Sequence, residues 1–202
     1  MNGTTRPIVE GVFTTENADG SVNVAPMGPR VDADFKEFEL RPFPGSRTYE
    51  NLLRTRRGTF HVTDNVEMIA QAAVGTLPAE PLLLPTSQEG FYVLADCCRW
   101  YQLQVVEADT SGERARLKCR VVGEGTVRAF FGLNRAKHAV LEAAILATRV
   151  HLLPPAEIAA TLAMLSPWVQ KTGSDVERRA FQFLLDTIAR RTAETADRES
   201  LP

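Results

Sequence analysis

A ten-residue run from Asp19 to Gly28, DGSVNVAPMG, constrains the fold of this chain more than any other segment. Its first two residues, Asp-Gly, predict a tight hairpin turn, because such turns need a positive φ that Gly adopts freely and Asp better than most residues. Alternating apolar and small residues follow, which is the period of a β-strand. The sequence therefore predicts an antiparallel hairpin with strands over residues 8–15 and 21–26.

The two faces of the second strand differ in character. Val22 and Val24 form an apolar face, which we expect to join a core. Asn23 and Ala25 leave only an amide and a methyl group on the other face before the strand stops at Pro26. A face this small lets a flat ligand lie against the backbone, with peptide groups and one amide available for hydrogen bonds. An ordinary hairpin whose second strand ends at a proline explains the same pattern.

Composition narrows the class of protein. With 202 residues, of which 44% are hydrophobic, the chain is long enough for one domain with an appendage or for two small domains. A net charge of −2 and a pI near 6.0 argue against a nucleic-acid partner. No stretch approaches the ~20 apolar residues of a membrane span, and the N-terminus has no hydrophobic signal core. We therefore expect no membrane association and a cytoplasmic location.

The residues that most often bind metals are not arranged for it. Neither the three cysteines nor the three histidines have the spacing of metal ligands. Cys97 and Cys98 are adjacent beside a predicted strand and are expected to be reduced thiols. The sequence therefore predicts no metal site.

The pattern of hydrophobic residues changes along the chain and predicts an α+β protein. The first two-thirds read as antiparallel sheet with short helices, and the segment after residue 131 reads as helical. Strands are expected over 35–43, 59–63, 100–108 and 114–122, and helices over 49–56 and 64–75. We therefore predict an antiparallel barrel or sheet over residues 1–131 and a C-terminal α-helical hairpin or bundle over residues 132–202.

The first helix of the C-terminal part is apolar almost all round. Asn134 is its expected N-cap and it runs to about Val150, which is typical of a helix buried on most of its surface. Polar residues fall on one stripe about 100° wide, namely Asn134, Arg135, His138, Glu142 and Arg149. The stripe is either the solvent-exposed face of the helix or a polar contact with another subunit or a ligand. Further along, Ser174 and Glu177 have the spacing of a capping box.

Short motifs in the first part of the chain resemble those of a known superfamily. FMN-binding split β-barrel proteins of the flavin reductase and flavoredoxin kind carry an Asn-x-Ala-Pro strand, a Thr-x-x-Asn helix start and a later strand that ends in a polar residue. The matching residues here are Asn23 to Pro26, then Thr48 and Asn51, then His61 to Thr63. The chain is therefore identified as a member of this superfamily.

Longer runs resemble one branch of it, a domain-of-unknown-function family with a C-terminal helical extension. These runs are TYENL, the segment from Asn134 to Arg149 (NRAKHAVLEAAILATR) and the segment from Val169 to Ser174 (VQKTGS). The resemblance covers nearly the whole chain. It implies a split barrel that binds FMN near a homodimer interface, and it implies no particular reaction.

The resemblance also implies which residues hold FMN. The flavin ring is expected beside the strand formed by Asn23, Val24, Ala25, Pro26 and Met27. The phosphate is expected at the helix start, where hydroxyl groups, a guanidinium and free N–H groups favour an anion; the residues are Ser46, Arg47, Thr48 and Asn51. His61 and Thr63 are expected either to reach the ring or ribityl chain or to make strand-end contacts. Relatives often carry Lys-Asp where Ser46 and Arg47 stand, and an Asn in the later strand.

Three functions are compatible with such a barrel. The first is an FMN-dependent oxidoreductase, in which the flavin does the electron chemistry and no catalytic acid or base is required. NADH or NADPH is a possible donor, although a GxGxxG fingerprint is absent. The second is a non-catalytic FMN-binding carrier, sensor or assembly module, and the third a barrel that has lost flavin. Candidates for completing the pocket from a second subunit are Trp100, Tyr101, Asn134, Arg135 and His138, and packing in the core or at an interface explains each of them equally well.

Overall fold

A computed structural model describes residues 6–77 and 81–199 of the chain. The described residues form two compact units. The barrel unit contains the described residues up to Asp64 and from 81 to Phe130. The helical unit contains residues 65–77 and the described residues from Phe131 onwards.

The barrel unit is built on a seven-stranded antiparallel sheet with one helix against it. Its strands lie in the order β2-β1-β5-β8-β9-β4-β3. Their bounds are β1 Gly11–Glu16, β2 Val22–Met27, β3 Arg30–Val31, β4 Glu37–Leu40, β5 Arg57–Val62, β8 Arg99–Asp109 and β9 Arg116–Thr126. A separate pair is formed by β6 Leu83–Leu84 and β7 Val93–Leu94, and the helix of this unit is α1 Arg47–Thr55.

The sheet curls into an incompletely closed barrel. Ile8, which precedes β1, forms an isolated bridge with Arg30 of β3, so the chain next to β1 meets the far edge strand. The inward side chains of the sheet, together with Leu52 of α1, form one apolar core. Phe13, Phe38 and Phe60 are its largest fully buried members. This burial of aromatic area is the main force that holds the sheet and α1 together.

The predicted opening hairpin is present. β1 and β2 pair in register from Gly11 opposite Met27 to Glu16 opposite Val22. Gly20 has φ 83°, which the tight turn requires. The prediction of a strand beginning at Phe35 was wrong at its start, because Phe35 lies in a turn with φ 54° and β4 begins only at Glu37.

The helical unit contains α2 Val66–Val74, α3 Arg135–Ala147, α4 Pro155–Thr172 and α5 Asp175–Glu199. Its core is rich in alanine along α3, which explains the apolar surface of that helix in the sequence. Asn134 caps α3 as predicted, with Oδ1 accepting from the N–H groups of Ala136 and Lys137. Three observed α-helices therefore pack around a fourth that is apolar on most sides.

A buried ion pair fixes the start of α5. Glu177 accepts hydrogen bonds from the backbone N–H and hydroxyl of Ser174, at 2.9 and 2.6 Å, which is the predicted capping box. Its other oxygen lies 3.0 Å from Nζ of Lys137. Burial acts to raise the pKa of Glu177, but the Ser174 and Lys137 hydrogen bonds outweigh it and lower the pKa to about 2. The carboxylate therefore stays ionised in the folded unit at neutral pH.

The two structural units differ in one element from the two domains predicted on either side of residue 131. α2 lies within the barrel segment of the sequence but belongs to the helical unit, because Val66 and Ala70 pack into the helical core. Its N-cap is Asn65, whose Oδ1 accepts from the N–H of Met68, so the helix begins at Val66 rather than at residue 64 as predicted. The expected fold class, an α+β protein with an antiparallel split barrel followed by helices, is confirmed.

Candidate functional site

The strand β2 carries five of the predicted site residues along one edge of the sheet. Its neighbour in the sheet order is β1, and among the described residues no strand pairs with the other side of its backbone. Ala25 stands opposite Phe13, and residues directly opposite in an antiparallel pair point to the same face. Because Phe13 lies in the barrel core, the faces of β2 are the reverse of the prediction. Asn23, Ala25 and Met27 face inward, whereas Val24 and Pro26 lie on the opposite face.

A buried polar network joins β2 to the start of α1. Nδ2 of Asn23 donates to Oγ1 of Thr15 at 3.2 Å and lies 3.0 Å from Oγ1 of Thr48. Nδ2 of Asn51 donates to the same Thr15 oxygen at 3.0 Å and to Oδ1 of Asn17 at 2.8 Å. The network therefore brings three predicted site residues, from two different segments of the chain, into one place.

Thr15 is the centre of this network and the sequence did not indicate it. Its side chain is fully buried on β1, and its oxygen accepts from both asparagine amides. Buried polar groups cost free energy unless they are paired, so each member of the network holds the others in place. The four side chains we refer to below as the Thr15 network are Thr15, Asn23, Thr48 and Asn51.

A Thr15→Val substitution tests the network, because valine has the shape of threonine but no hydroxyl. We expect the free energy of unfolding of the barrel unit to fall by about 1.5 kcal/mol, since two buried amides each lose an acceptor. Urea unfolding is followed by the fluorescence of Trp100 in a Trp168→Phe background. Thr126→Val, on an exposed strand position, is the matched control and should change stability by less than about 0.5 kcal/mol. Equal stability of the two variants would contradict the role of Thr15.

The N-terminus of α1 is arranged to accept an anion. Ser46 caps the helix, with Oγ accepting from the N–H of Tyr49 at 3.3 Å. Among the described residues, no acceptor lies on the backbone N–H groups of Arg47 and Thr48. The side chain of Arg47 is exposed and forms no ion pair within the described part of the chain. Free N–H groups, a helix dipole and a guanidinium together favour a phosphate or carboxylate.

The side chain of His61 forms hydrogen bonds within the barrel. Its side chain is fully buried, Nδ1 lies 3.1 Å from the carbonyl oxygen of Val12, and Nε2 accepts from the N–H of Leu94 at 3.1 Å. Because Nε2 accepts, the proton of the neutral ring is on Nδ1. Burial lowers the pKa of His61 from 6.5 to about 4. Both ring nitrogens are occupied, so the structure gives His61 the strand-contact role rather than a ligand contact.

Thr63 follows β5 and lies beside an ion cluster that the sequence did not reveal. Its hydroxyl donates to the carbonyl oxygen of Asp96 at 3.4 Å. Nη2 of Arg128 lies 2.7 Å from Oδ1 of the buried Asp64 and 2.8 Å from Oδ1 of Asp96. Asp64 first, and then Asp96, raise the pKa of Arg128. Thr63 therefore lies among groups that brace the end of β5, away from the residues of the Thr15 network.

The cysteines are free and buried. Burial raises the pKa of Cys97 and of Cys119 to about 12, so neither is a thiolate at neutral pH. Within residues 6–77 and 81–199, no group of three or more His, Cys, Asp or Glu side chains is placed to hold a metal ion. None of the helices in that part of the chain is long and apolar enough to cross a membrane.

The residues predicted to complete the pocket from a second subunit differ in their exposure to solvent. Tyr101 is buried in the barrel core, and Trp100 is half-buried. On α3 the polar stripe is open, with Arg135 and His138 exposed, and the His138 ring stacks on Trp168 at a centroid distance of 6.2 Å. Tyr101 is thus a core residue. The polar stripe on α3 is accessible either to solvent or to another subunit or ligand.

The curled antiparallel sheet, its polar network and the separate helical unit define an α+β protein of the split β-barrel class. Residues 9–128 match the N-terminal domain of the DUF447 family of proteins of unknown function, and residues 134–186 match a second DUF447 domain. The chain belongs to this family. No curated protein matches the chain.

Solved structures with the same fold include a member of this family and other flavin-related proteins. An FMN-bound DUF447 protein from Methanosarcina mazei is 22% identical, with a TM-score of 0.77, and the match covers 92% of this chain and 97% of that one. An FMN-binding protein from Thermus thermophilus with bound 1-cyclohex-2-enone is 19% identical, with a TM-score of 0.50 over 63% of this chain and 76% of that one. An NADH:FAD oxidoreductase from Streptomyces globisporus is 7% identical, with a TM-score of 0.50 over 59% and 76%. These likenesses confirm the split-barrel fold.

Proposed function

We propose that this protein binds FMN beside β2 and the start of α1 and acts as an FMN-dependent oxidoreductase. The observation that carries the proposal is the hydrogen-bonded link from Asn23 on β2 to Thr48 on α1, at 3.0 Å. That link puts an edge strand with open peptide groups next to a helix terminus that favours an anion. FMN has a planar ring and a phosphate, and these two features fit the two elements. The FMN-bound protein of Methanosarcina mazei and the FMN-binding protein of Thermus thermophilus, which share this fold, support this ligand.

Each residue has a defined task in the proposed site. Ser46, Arg47 and Thr48 hold the phosphate through hydroxyl, guanidinium and backbone N–H groups. The backbone of Asn23 to Met27 borders the ring through the peptide groups on its open edge. Asn51 positions the helix start through Thr15. We leave His61 out of this set, because both of its ring nitrogens are already bonded.

The residues of the proposed site bind and orient, and none of them is an acid or base at neutral pH. Bound FMN would supply the redox chemistry, accepting and releasing electrons. NADH or NADPH is the proposed donor, and without a dinucleotide-binding fingerprint the nicotinamide would bind only transiently. A homodimer with the flavin near the subunit interface is the proposed assembly, in keeping with an edge strand that lacks a partner on one side.

Purified protein tests the proposal in two steps. FMN titration should quench flavin fluorescence and give a bound species with a shifted visible absorption. Anaerobic mixing with NADH or NADPH should then bleach that absorption. A protein that fails to bind FMN overturns the whole proposal. A protein that binds FMN but is bleached by neither donor would instead be a non-catalytic carrier, sensor or assembly module.

A further inference from the structure

A surface cavity of about 500 Å³ lies in the barrel unit, away from the Thr15 network. It is lined by the loop between β3 and β4 and by the paired ends of β8 and β9. Its volume is in the range of small-molecule sites. It shares no residue with β2 or α1, so any ligand it holds is separate from the proposed flavin.

An aromatic wall forms one side of the cavity. The Phe35 ring stacks on that of Tyr101, with a centroid distance of 5.4 Å and an interplanar angle of 21°. The backbone of Phe35 has φ 54°, a conformation that costs a bulky residue about 1 kcal/mol or more. The turn is held because Oδ1 of Asp32 accepts from the N–H groups of Lys36 and Glu37, both at 2.8 Å. A strained turn thus keeps a half-exposed aromatic ring against the cavity.

A guanidinium without a partner lies over this wall. Cζ of Arg99 is 5.1 Å from the centre of the Phe35 ring and 5.8 Å from that of Tyr101. In the described part of the chain, the exposed Arg99 side chain forms neither an ion pair nor a hydrogen bond. The N–H donors of this guanidinium therefore remain available, beside the aromatic rings, for a carboxylate.

The other charges at the cavity limit what binds there. Nζ of Lys36 lies 3.1 Å from a carboxylate oxygen of Glu124, so these two charges neutralise each other. Asp34 also lines the cavity and has no cationic partner among the described residues. Among the described lining residues, Arg99 is therefore the cation available to an anionic ligand, while Asp34 repels negative charge and repels a dianion more strongly than a monoanion.

We propose that this cavity binds a small aromatic monocarboxylate, with its carboxylate on Arg99 and its ring against Phe35. Such a ligand satisfies the guanidinium donors and covers the exposed part of the aromatic wall. Dianions are disfavoured by Asp34, and neutral aromatic compounds lack the charge that Arg99 recognises. The site is independent of FMN, and no residue of the Thr15 network takes part in it.

Benzoate is the probe, titrated into the full chain by calorimetry and by backbone amide shifts in NMR spectra. We expect saturable binding, with the largest shifts at residues 33–36 and 124–126. Benzamide, and the dianions phthalate and phosphate, should bind about tenfold more weakly or worse. Arg99→Gln should weaken benzoate binding by about tenfold or more, and Phe35→Leu by a few-fold. Arg120→Gln, an exposed strand arginine outside the cavity, is the matched control and should leave affinity unchanged.

Three results would overturn the proposal. The first is the absence of saturable benzoate binding to a folded protein, and the second is equal affinity of the Arg99→Gln and Arg120→Gln variants. Binding of phosphate as tight as that of benzoate would show a plain anion site and would also contradict it. FMN titration of the Arg99→Gln variant should be unchanged, which separates this site from the proposed flavin site.

Discussion

FMN should bind about 100-fold more weakly to a variant in which Arg47 and Thr48 are both alanine. The guanidinium of Arg47 is exposed and free to form a charge-assisted hydrogen bond with a phosphate, and such bonds contribute about 1.5 to 3 kcal/mol. The Thr48 hydroxyl holds Asn23 of β2 at 3.0 Å, so its loss also loosens the strand that borders the ring. Backbone N–H groups survive both changes, which is why binding is weakened rather than abolished.

The single variants separate the two contributions. Arg47→Ala should cost about tenfold in FMN affinity with little loss of stability, because this exposed side chain forms no hydrogen bond or ion pair in the described residues and interacts only weakly with the exposed Asp19. Thr48→Ala should lower both affinity and stability. Fluorescence quenching of FMN gives the Kd, and Arg120→Ala is the charge-matched control. An unchanged Kd in the double variant would mean that the phosphate lies elsewhere.

Local features of the chain were predictable from the sequence because the residues that decide them are neighbours. The Asn134 cap, the capping box of Ser174 and Glu177 and the Asp-Gly hairpin each depend on contacts within a few residues. The change from strand period to helix period likewise placed the helical part of the chain. Longer motifs carried the family assignment, and with it the split-barrel class.

Contacts between distant residues were not predictable in this way. The bond from Asn51 to Thr15 spans 36 positions and that from Leu94 to His61 spans 33, and no periodicity indicates either of them. The inward direction of Asn23 depends on pairing with Phe13 rather than on the pattern of β2 itself. A positive φ at Phe35 is a property of the folded turn, since the residue type argues against it. Site residues were thus found by motif, whereas their roles came from tertiary contacts.

These tertiary contacts also distinguish the residues that hold the proposed site from those that hold the barrel. Asn23, Thr48 and Asn51 meet through Thr15, at the end of the sheet where α1 begins. His61 lies on the neighbouring strand with the same polar character in the sequence, yet it bonds only to backbone. A change at the network should therefore affect ligand binding as well as stability, whereas a change at His61 should affect stability alone.

The barrel unit should lose about 2 kcal/mol of stability between pH 7 and pH 5 because of His61 alone. Burial lowers its pKa in the folded protein to about 4, from an ordinary value of 6.5. Above pH 6.5 the ring is neutral in both the folded and the unfolded chain. As the pH falls below 6.5, the His61 imidazole of the unfolded chain binds a proton. The same ring in the folded chain binds one only near pH 4. The contribution of neutral His61 to the stability of the barrel unit is therefore complete above pH 6.5 and is lost as the pH falls towards 4.

Besides burial, a hydrogen bond also keeps His61 unprotonated in the folded protein. Nε2 of His61 already accepts from the N–H of Leu94, so a proton there would set two donors against each other. Urea unfolding at pH 7, 6 and 5, followed by Trp100 in a Trp168→Phe background, measures the effect. His61→Gln should be less stable at pH 7 but nearly flat across this range. His151→Gln, at an exposed position, should keep the wild-type slope. A His61→Gln variant with that same slope would show that other groups control the acid sensitivity of the barrel.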